Sequence, residues 1–112
     1  MSSFNMMNGI PVNGNKALLV DLLRKEWGFD GVLISDYNAI REMIKHGYLE
    51  TEKECACVAA NHEIDMEMMS GTYIKYLPEL VAEGCFYLLC QVAVGDRSVC
   101  ILIMGRQFFH NF

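Results

Sequence analysis

The run Trp27-Gly28-Phe29-Asp30-Gly31-Val32-Leu33-Ile34-Ser35-Asp36-Tyr37 leaves this chain few ways to fold. Gly28 breaks whatever precedes it, Asp30-Gly31 turns the chain, and Val32-Leu33-Ile34 is a short unbroken apolar run. An apolar run between glycine breakers is the pattern of a parallel strand covered on both faces. A carboxylate, Asp36, follows just past the strand end. In parallel α/β folds the loops at the carboxyl ends of the strands carry the chemistry, so Asp36 is the first candidate for a reactive group. Read on its own, an Asp in that place can equally cap the next helix.

The elements on either side fit an α/β pattern. Residues 15–27 read as an amphipathic helix, with Asn15 as its cap. Leu18, Leu19, Leu22, Leu23 and Trp27 fall on a core face, while Asp21, Arg24 and Lys25 lie toward solvent. Gly28 takes the residue just past the helix end. Asn38 is placed to cap a short helix over 39–45, closed by His46-Gly47, with His46 a cation near the carboxyl end of the dipole. Thr51 and Glu54 make a capping box for a helix reaching about Ala60. Residues 64–69 alternate, with Ile64, Met66 and Met68 on one side and Asp65 and Glu67 on the other. Pro78 suits the first turn of a last helix, Pro78 to Glu83, ended by Gly84. Asn8-Gly9, Pro11 and Asn13-Gly14 are turn signals.

Size and charge narrow the function. At 112 residues the chain is one small domain at most. A net charge of −5 supplies no basic field, which argues against a nucleic-acid partner. The first residues, Met1-Ser2-Ser3-Phe4, have neither a basic nor an apolar leader region. Five cysteines without such a leader read as free thiols in a reducing, cytoplasmic setting. Cys55-x-Cys57 with His62 and Glu63 does not match zinc-ligand spacing, and positions two apart on a helix diverge by about 200°. No metal site is expected.

The segment from Gly28 to Tyr37 resembles the nucleophile segment of the family 3 glycoside hydrolases, the β-glucosidases and β-xylosidases. That family typically reads Glu-Trp-Gly-Phe-x-Gly, then apolar residues, then Ser-Asp-Trp. Other segments are similar in the family's order. Met1 to Asn5 with Asn8-Gly9-Ile10-Pro11 looks like its preceding strand and loop, and Asn15-Lys16 to Glu26-Trp27 like the helix after it. Ile64-Asp65-Met66-Glu67-Met68 looks like the last barrel strand, and Tyr76-Leu77-Pro78-Glu79-Leu80 with Gly84 like the helix that follows. The resemblance covers about residues 1–84.

It implies an α/β fold that is part of a (β/α)8 TIM barrel, about its last three strand–helix units. A whole barrel takes about 250 residues. Residues 1–69 would then run strand, helix, strand, helix, strand, with a right-handed crossover in each βαβ unit. The implied reaction is retaining hydrolysis of a terminal β-glucoside or β-xyloside, without a cofactor, with Asp36 as nucleophile. The family's acid/base glutamate comes from a separate domain after the barrel, and Glu42 and Glu67 align within a helix and a strand. The chain alone is therefore expected to be inactive. Tyr37 stands in place of the family's tryptophan and can still stack on a sugar. Phe4 stands where the family usually has a tyrosine near the nucleophile, and by itself reads as a core aromatic. Met68 is placed for substrate contact or for core packing. His62-Glu63 replace an Ala-Gly turn, which would strain the backbone if that turn needs positive φ.

The resemblance stops at Gly84. Residues 85–112 read as a divergent apolar tail, with Gly95-Asp96 a hairpin turn between two apolar runs. Those runs are too short and too broken for a membrane span. The abrupt change suggests a shifted reading frame or unrelated sequence. Three parallel strands with open edges would invite self-association or association with the missing part of the enzyme. A different class also fits, a non-catalytic α/β interaction module in which Asp36 is a relic.

Overall fold

The structure is a computed structural model that describes residues 1–85. The expected tail hairpin around Gly95-Asp96 lies outside them. A two-residue hairpin opens the chain, β1 (Met6–Met7) pairing antiparallel with β2 (Ile10–Pro11). Asn8 and Gly9 turn it with φ of 52° and 77°, the paired positive angles of a type I′ turn. A helix over Ala17–Glu26 follows, then α1 (Ala39–Lys45), α2 (Glu52–Asn61) and α3 (Thr72–Ala82).

The extended segments between the helices pair at points rather than along ladders. Ser2 N–H donates to the Ile34 carbonyl at 2.8 Å, and Ile34 forms a parallel bridge with Met66. The three expected strands thus do not form as strands: their segments lie side by side in the expected order, joined by one backbone bond and one isolated bridge. Burial alternates along the middle one, with Leu33 and Ser35 buried and Val32, Ile34 and Asp36 more open. Val32 is 56% exposed, which corrects the expectation of a strand covered on both faces. The helices cover one face. The other is only partly covered, with Val32 and Met66 exposed on it and Ile34 half-buried.

The core lies between that covered face and the helices, built on Leu33, Ile40, Met43, Ala59, Ile64 and Leu77. The small side chains Ala56, Ala59 and Ala60 of α2 are fully buried and let α1 and α3 approach it closely. The capping box forms as expected. Glu54 N–H donates to Thr51 Oγ1 at 3.2 Å, and Glu54 Oε2 accepts from the Thr51 N–H at 3.0 Å. Gly28, past the 17–26 helix, and Gly47, past α1, have φ of 66° and 70°, where glycine carries no Cβ penalty.

Three helix expectations need correction. The 17–26 helix is wound as a π-helix, with Trp27 N–H donating to the Leu22 carbonyl five residues back at 2.8 Å. Asn15 does cap it, Oδ1 accepting from Leu18 N–H at 3.1 Å. Arg24, expected toward solvent, is buried, while Trp27, expected on the core face, is 67% exposed. The last helix begins at Thr72, not Pro78, so Pro78 sits inside it. Its first turn is fixed by Glu67, whose carboxylate accepts from the N–H groups of Thr72 and Tyr73 at 3.0 and 2.8 Å. Asn38 holds the N-cap place of α1 but makes no side-chain capping bond.

Candidate active site

Asp36 follows the central extended segment directly. The alternation that buries Leu33 and Ser35 puts it on the open face with Val32 and Ile34. Its carbonyl accepts from Ala39 N–H at 3.2 Å, which starts α1. Its carboxylate Oδ1 accepts from Tyr37 N–H at 2.7 Å and makes no bond to the helix's first turn. The side chain is thus not spent on capping, against the alternative reading of an Asp at this place. A charge-assisted bond to one amide fixes a carboxylate while leaving its other oxygen free to act.

The remaining candidates also lie past the ends of the parallel segments. Tyr37 is exposed beside Asp36. Phe4, two residues past Ser2, is 37% exposed and not a core aromatic. Its backbone is held instead of its ring, the carbonyl accepting from His46 Nε2 at 3.0 Å. His46 is therefore a tie to the first loop as well as the residue that ends α1. Met68, two residues past Met66, is half-buried, and its N–H donates to Ser35 Oγ at 3.0 Å. Ser35, fully buried next to Asp36, joins the two strand ends through that bond.

Two carboxylates of the neighbouring elements have other partners. Glu67 accepts from Ser70 Oγ and Thr72 Oγ1 at 2.6 and 2.7 Å as well as from the α3 amides. Glu42 pairs with Lys45 along α1 at 3.4 Å. Neither is placed by its contacts as an acid for a reaction at Asp36. An apolar cavity of about 230 Å³ lies among Met1, Val12, Leu19, Leu23, Trp27 and Leu33. Leu33 faces it, so it opens on the helix side of the sheet, opposite the face that carries Asp36.

Sequence reading missed a buried ion pair beside the segment that leads to Asp36. Arg24, expected in solvent, and Asp65, expected on the polar side of the last strand, have side chains only 6% and 3% exposed and meet at 2.6 Å. Burial pushes the Asp65 carboxyl above its ordinary pKa, opposed by the Leu33 N–H and the Arg24 guanidinium. The signal for both was weak, since one charge among helix surface residues and one in an alternating strand look solvated. The turn before Ile64 is strained as expected, with Glu63 at φ 62°.

The thiols and His62 do not gather. Cys55 is fully buried, and burial pushes its thiol up to about 11. His62 is half-buried and its pKa is lowered, chiefly by that burial. Cys55, Cys57 and Cys85 are free. Among the described residues no three His, Cys, Asp or Glu side chains converge as a metal site would need, and no helix is long and apolar enough to cross a membrane.

Known proteins are similar to this chain in sequence and in fold. The profile of the glycosyl hydrolase family 3 N-terminal domain matches residues 1–99, a span that runs past Gly84. The chain is 43% identical over 84 residues to a periplasmic beta-glucosidase of Salmonella typhimurium, covering 75% of this chain and 11% of that protein. It is 34% identical over 85 residues to a putative beta-xylosidase of Formosa agariphila, covering 75% of this chain and 11% of the relative. Among solved structures it is similar to the beta-glucosidase from Listeria innocua in complex with isofagomine. That likeness has a TM-score of 0.74 and 45% identity over 76% of this chain and 12% of the other. The chain thus spans about a tenth of the length of the relatives it matches. With the matched profile covering most of its length, the chain belongs to glycosyl hydrolase family 3, through that family's N-terminal domain.

Proposed function

We propose that residues 1–84 form part of the (β/α)8 barrel of a retaining β-glucosidase-type hydrolase, and that Asp36 is its nucleophile. The observation that carries this reading is the place of Asp36, past the end of the central parallel segment, on the open face, with a carboxylate not used to cap α1. In the reaction one carboxylate attacks the anomeric carbon and forms a covalent glycosyl intermediate. A second carboxyl about 5–5.5 Å away protonates the leaving oxygen, then activates the water that releases the sugar. Asp36 takes the first role. Tyr37 offers a ring for stacking beside it, and Phe4 and Met68 border the same edge. Phe4 has no hydroxyl to bond the carboxylate.

The second carboxyl is the weak point of the 112-residue chain taken alone. Glu67 and Glu42 are engaged in the helices, and general acid catalysis contributes about 10²–10⁴-fold. The chain alone is inactive on this reading, and activity needs a polypeptide that supplies the acid and the sugar subsites. The open face with Val32 and Met66 exposed also favours a second reading, a non-catalytic module that binds another chain there.

The test is an aryl β-glucoside assay in two settings. The purified 112-residue chain is expected to show no Asp36-dependent hydrolysis. Residues 1–84 grafted over the matching segment of the Salmonella relative are expected to support hydrolysis that Asp36→Gly removes by several orders of magnitude. Azide should restore turnover to that variant by forming the glycosyl azide of opposite anomeric configuration. An active graft indifferent to Asp36→Gly sinks the nucleophile reading. An inactive graft with a monodisperse, cooperatively unfolding free chain supports the binding module.

A further inference from the structure

We infer that Arg24 and Asp65 are positioning residues for Asp36, a role that rests on the nucleophile reading above. They act by supplying, through side chains, the two bonds that the parallel backbones do not make below the Ile34–Met66 bridge.

At the bridge, Ser35 N–H donates to the Met66 carbonyl at 2.9 Å, and the Leu33 carbonyl accepts from Met66 N–H at 3.3 Å and, more closely, from Asp65 N–H at 2.9 Å. Continuing a parallel ladder one step down would pair Leu33 N–H with the Ile64 carbonyl, and Ile64 N–H with the Gly31 carbonyl. Both Ile64 groups are engaged elsewhere. Its carbonyl accepts from Tyr73 Oη at 2.8 Å, and its N–H donates to the Ala59 carbonyl at 3.1 Å. Leu33 N–H and the Gly31 carbonyl, both on the segment that leads to Asp36, would lose their partners. Buried backbone groups without partners are costly.

The side chains fill both places. Asp65 Oδ2 accepts from Leu33 N–H at 2.7 Å, and Arg24 Nη1 donates to the Gly31 carbonyl at 2.6 Å. Arg24 Nη2 closes the set, donating to Asp65 Oδ2 at 2.6 Å and to the Glu63 carbonyl at 2.9 Å. The planar guanidinium fork serves both strands and the charge together, which a lysine ammonium does less well. Register is what this fixes. A slip of one residue would turn every side chain to the other face and carry Asp36 from the open face into the helix-packed one.

The test is amide hydrogen exchange and amide proton shifts on the full 112-residue chain. In Asp65→Ala, Leu33 N–H is expected to exchange roughly tenfold faster or more relative to the amides of α2. The Tyr37 amide resonance should move as well, because its acceptor is the Asp36 carboxylate. Arg24→Lys keeps a positive charge but cannot span the same acceptors, so it should show the same local pattern if Asp65→Ala fails to fold. Acceleration of all amides by one common factor in the folded variants, or an unchanged Leu33 amide, overturns the positioning role. Azide rescue in the graft separates this from the nucleophile reading. A local exchange effect with failed rescue removes the reaction and leaves only a register device. Successful rescue with uniform exchange removes the positioning role and keeps the nucleophile.

Discussion

Glu63 holds a left-handed backbone at the turn out of α2, with φ 62°. Such a conformation costs a side-chain-bearing residue roughly 1–2 kcal/mol. Its carboxylate lies 3.4 Å from Arg24 Nε, but Arg24 also holds Asp65 at 2.6 Å. Glu63→Gly is therefore expected to stabilise the chain by about 1 kcal/mol, read as a higher denaturation midpoint with unchanged m-value. A glycine with the opposite need is Gly14, where an added Cβ would stand 2.5 Å from Tyr48 Cε1. Tyr48 Oη donates to the Gly14 carbonyl at 3.3 Å, so the ring cannot leave without losing that bond. Gly14→Ala should cost about 1–3 kcal/mol, and an unchanged midpoint would show that the loop yields freely. Asp36 could be picked out at this scale from its place after an apolar run. Arg24 and Asp65 could not, because a buried ion pair depends on two residues far apart in the chain.

Helix ends give predictions of their own. Thr51→Ala removes the side-chain half of the α2 capping box and should cost about 1 kcal/mol, measured by denaturation. The Glu54 carboxyl is held below its ordinary pKa of 4.5 by the Glu50 and Thr51 amides. A carboxyl lowered in the folded state stabilises fully above its unfolded pKa, and that share is lost as pH falls through the lower folded value. Helicity should therefore drop with acid below about pH 4.5, and Glu54→Gln should blunt that part of the pH dependence. Pro78 inside α3 lacks an N–H for the Ile74 carbonyl. The helix persists because Leu77 and Leu80 are buried and Lys53 pairs with Glu79 and Glu83 at 2.8 Å each. Pro78→Ala should stabilise it, by less than the ~3 kcal/mol of an interior proline because proline also restricts the unfolded chain.

Over the whole molecule, one face of the parallel segments is covered by helices and the other leaves Val32 and Met66 56% and 42% exposed. Apolar surface of this kind drives association. The 112-residue chain is expected to self-associate, and Met66→Lys should shift sedimentation toward monomer. A wild-type chain monomeric at high concentration would refute this. Asp36 borders the same face, so whatever covers it also bounds the space in front of the carboxylate.

Short-range physics is legible in the amino-acid sequence by itself. The capping box at Thr51 and the breaks at Gly28 and Gly47 follow from bonds and angles within a few residues, while the strained turn at Glu63 was legible only through the family's Ala-Gly turn that it replaces. The family is legible as well, because its motif is continuous along Gly28 to Tyr37. The tertiary structure alone decided the π winding of the 17–26 helix, the burial of Arg24 against Asp65, the capture of Glu67 by α3 and the open side of Val32. It also decided that the parallel ladder ends in side-chain bonds. Each of those depends on what the folded chain brings alongside, and no window of neighbouring residues contains it.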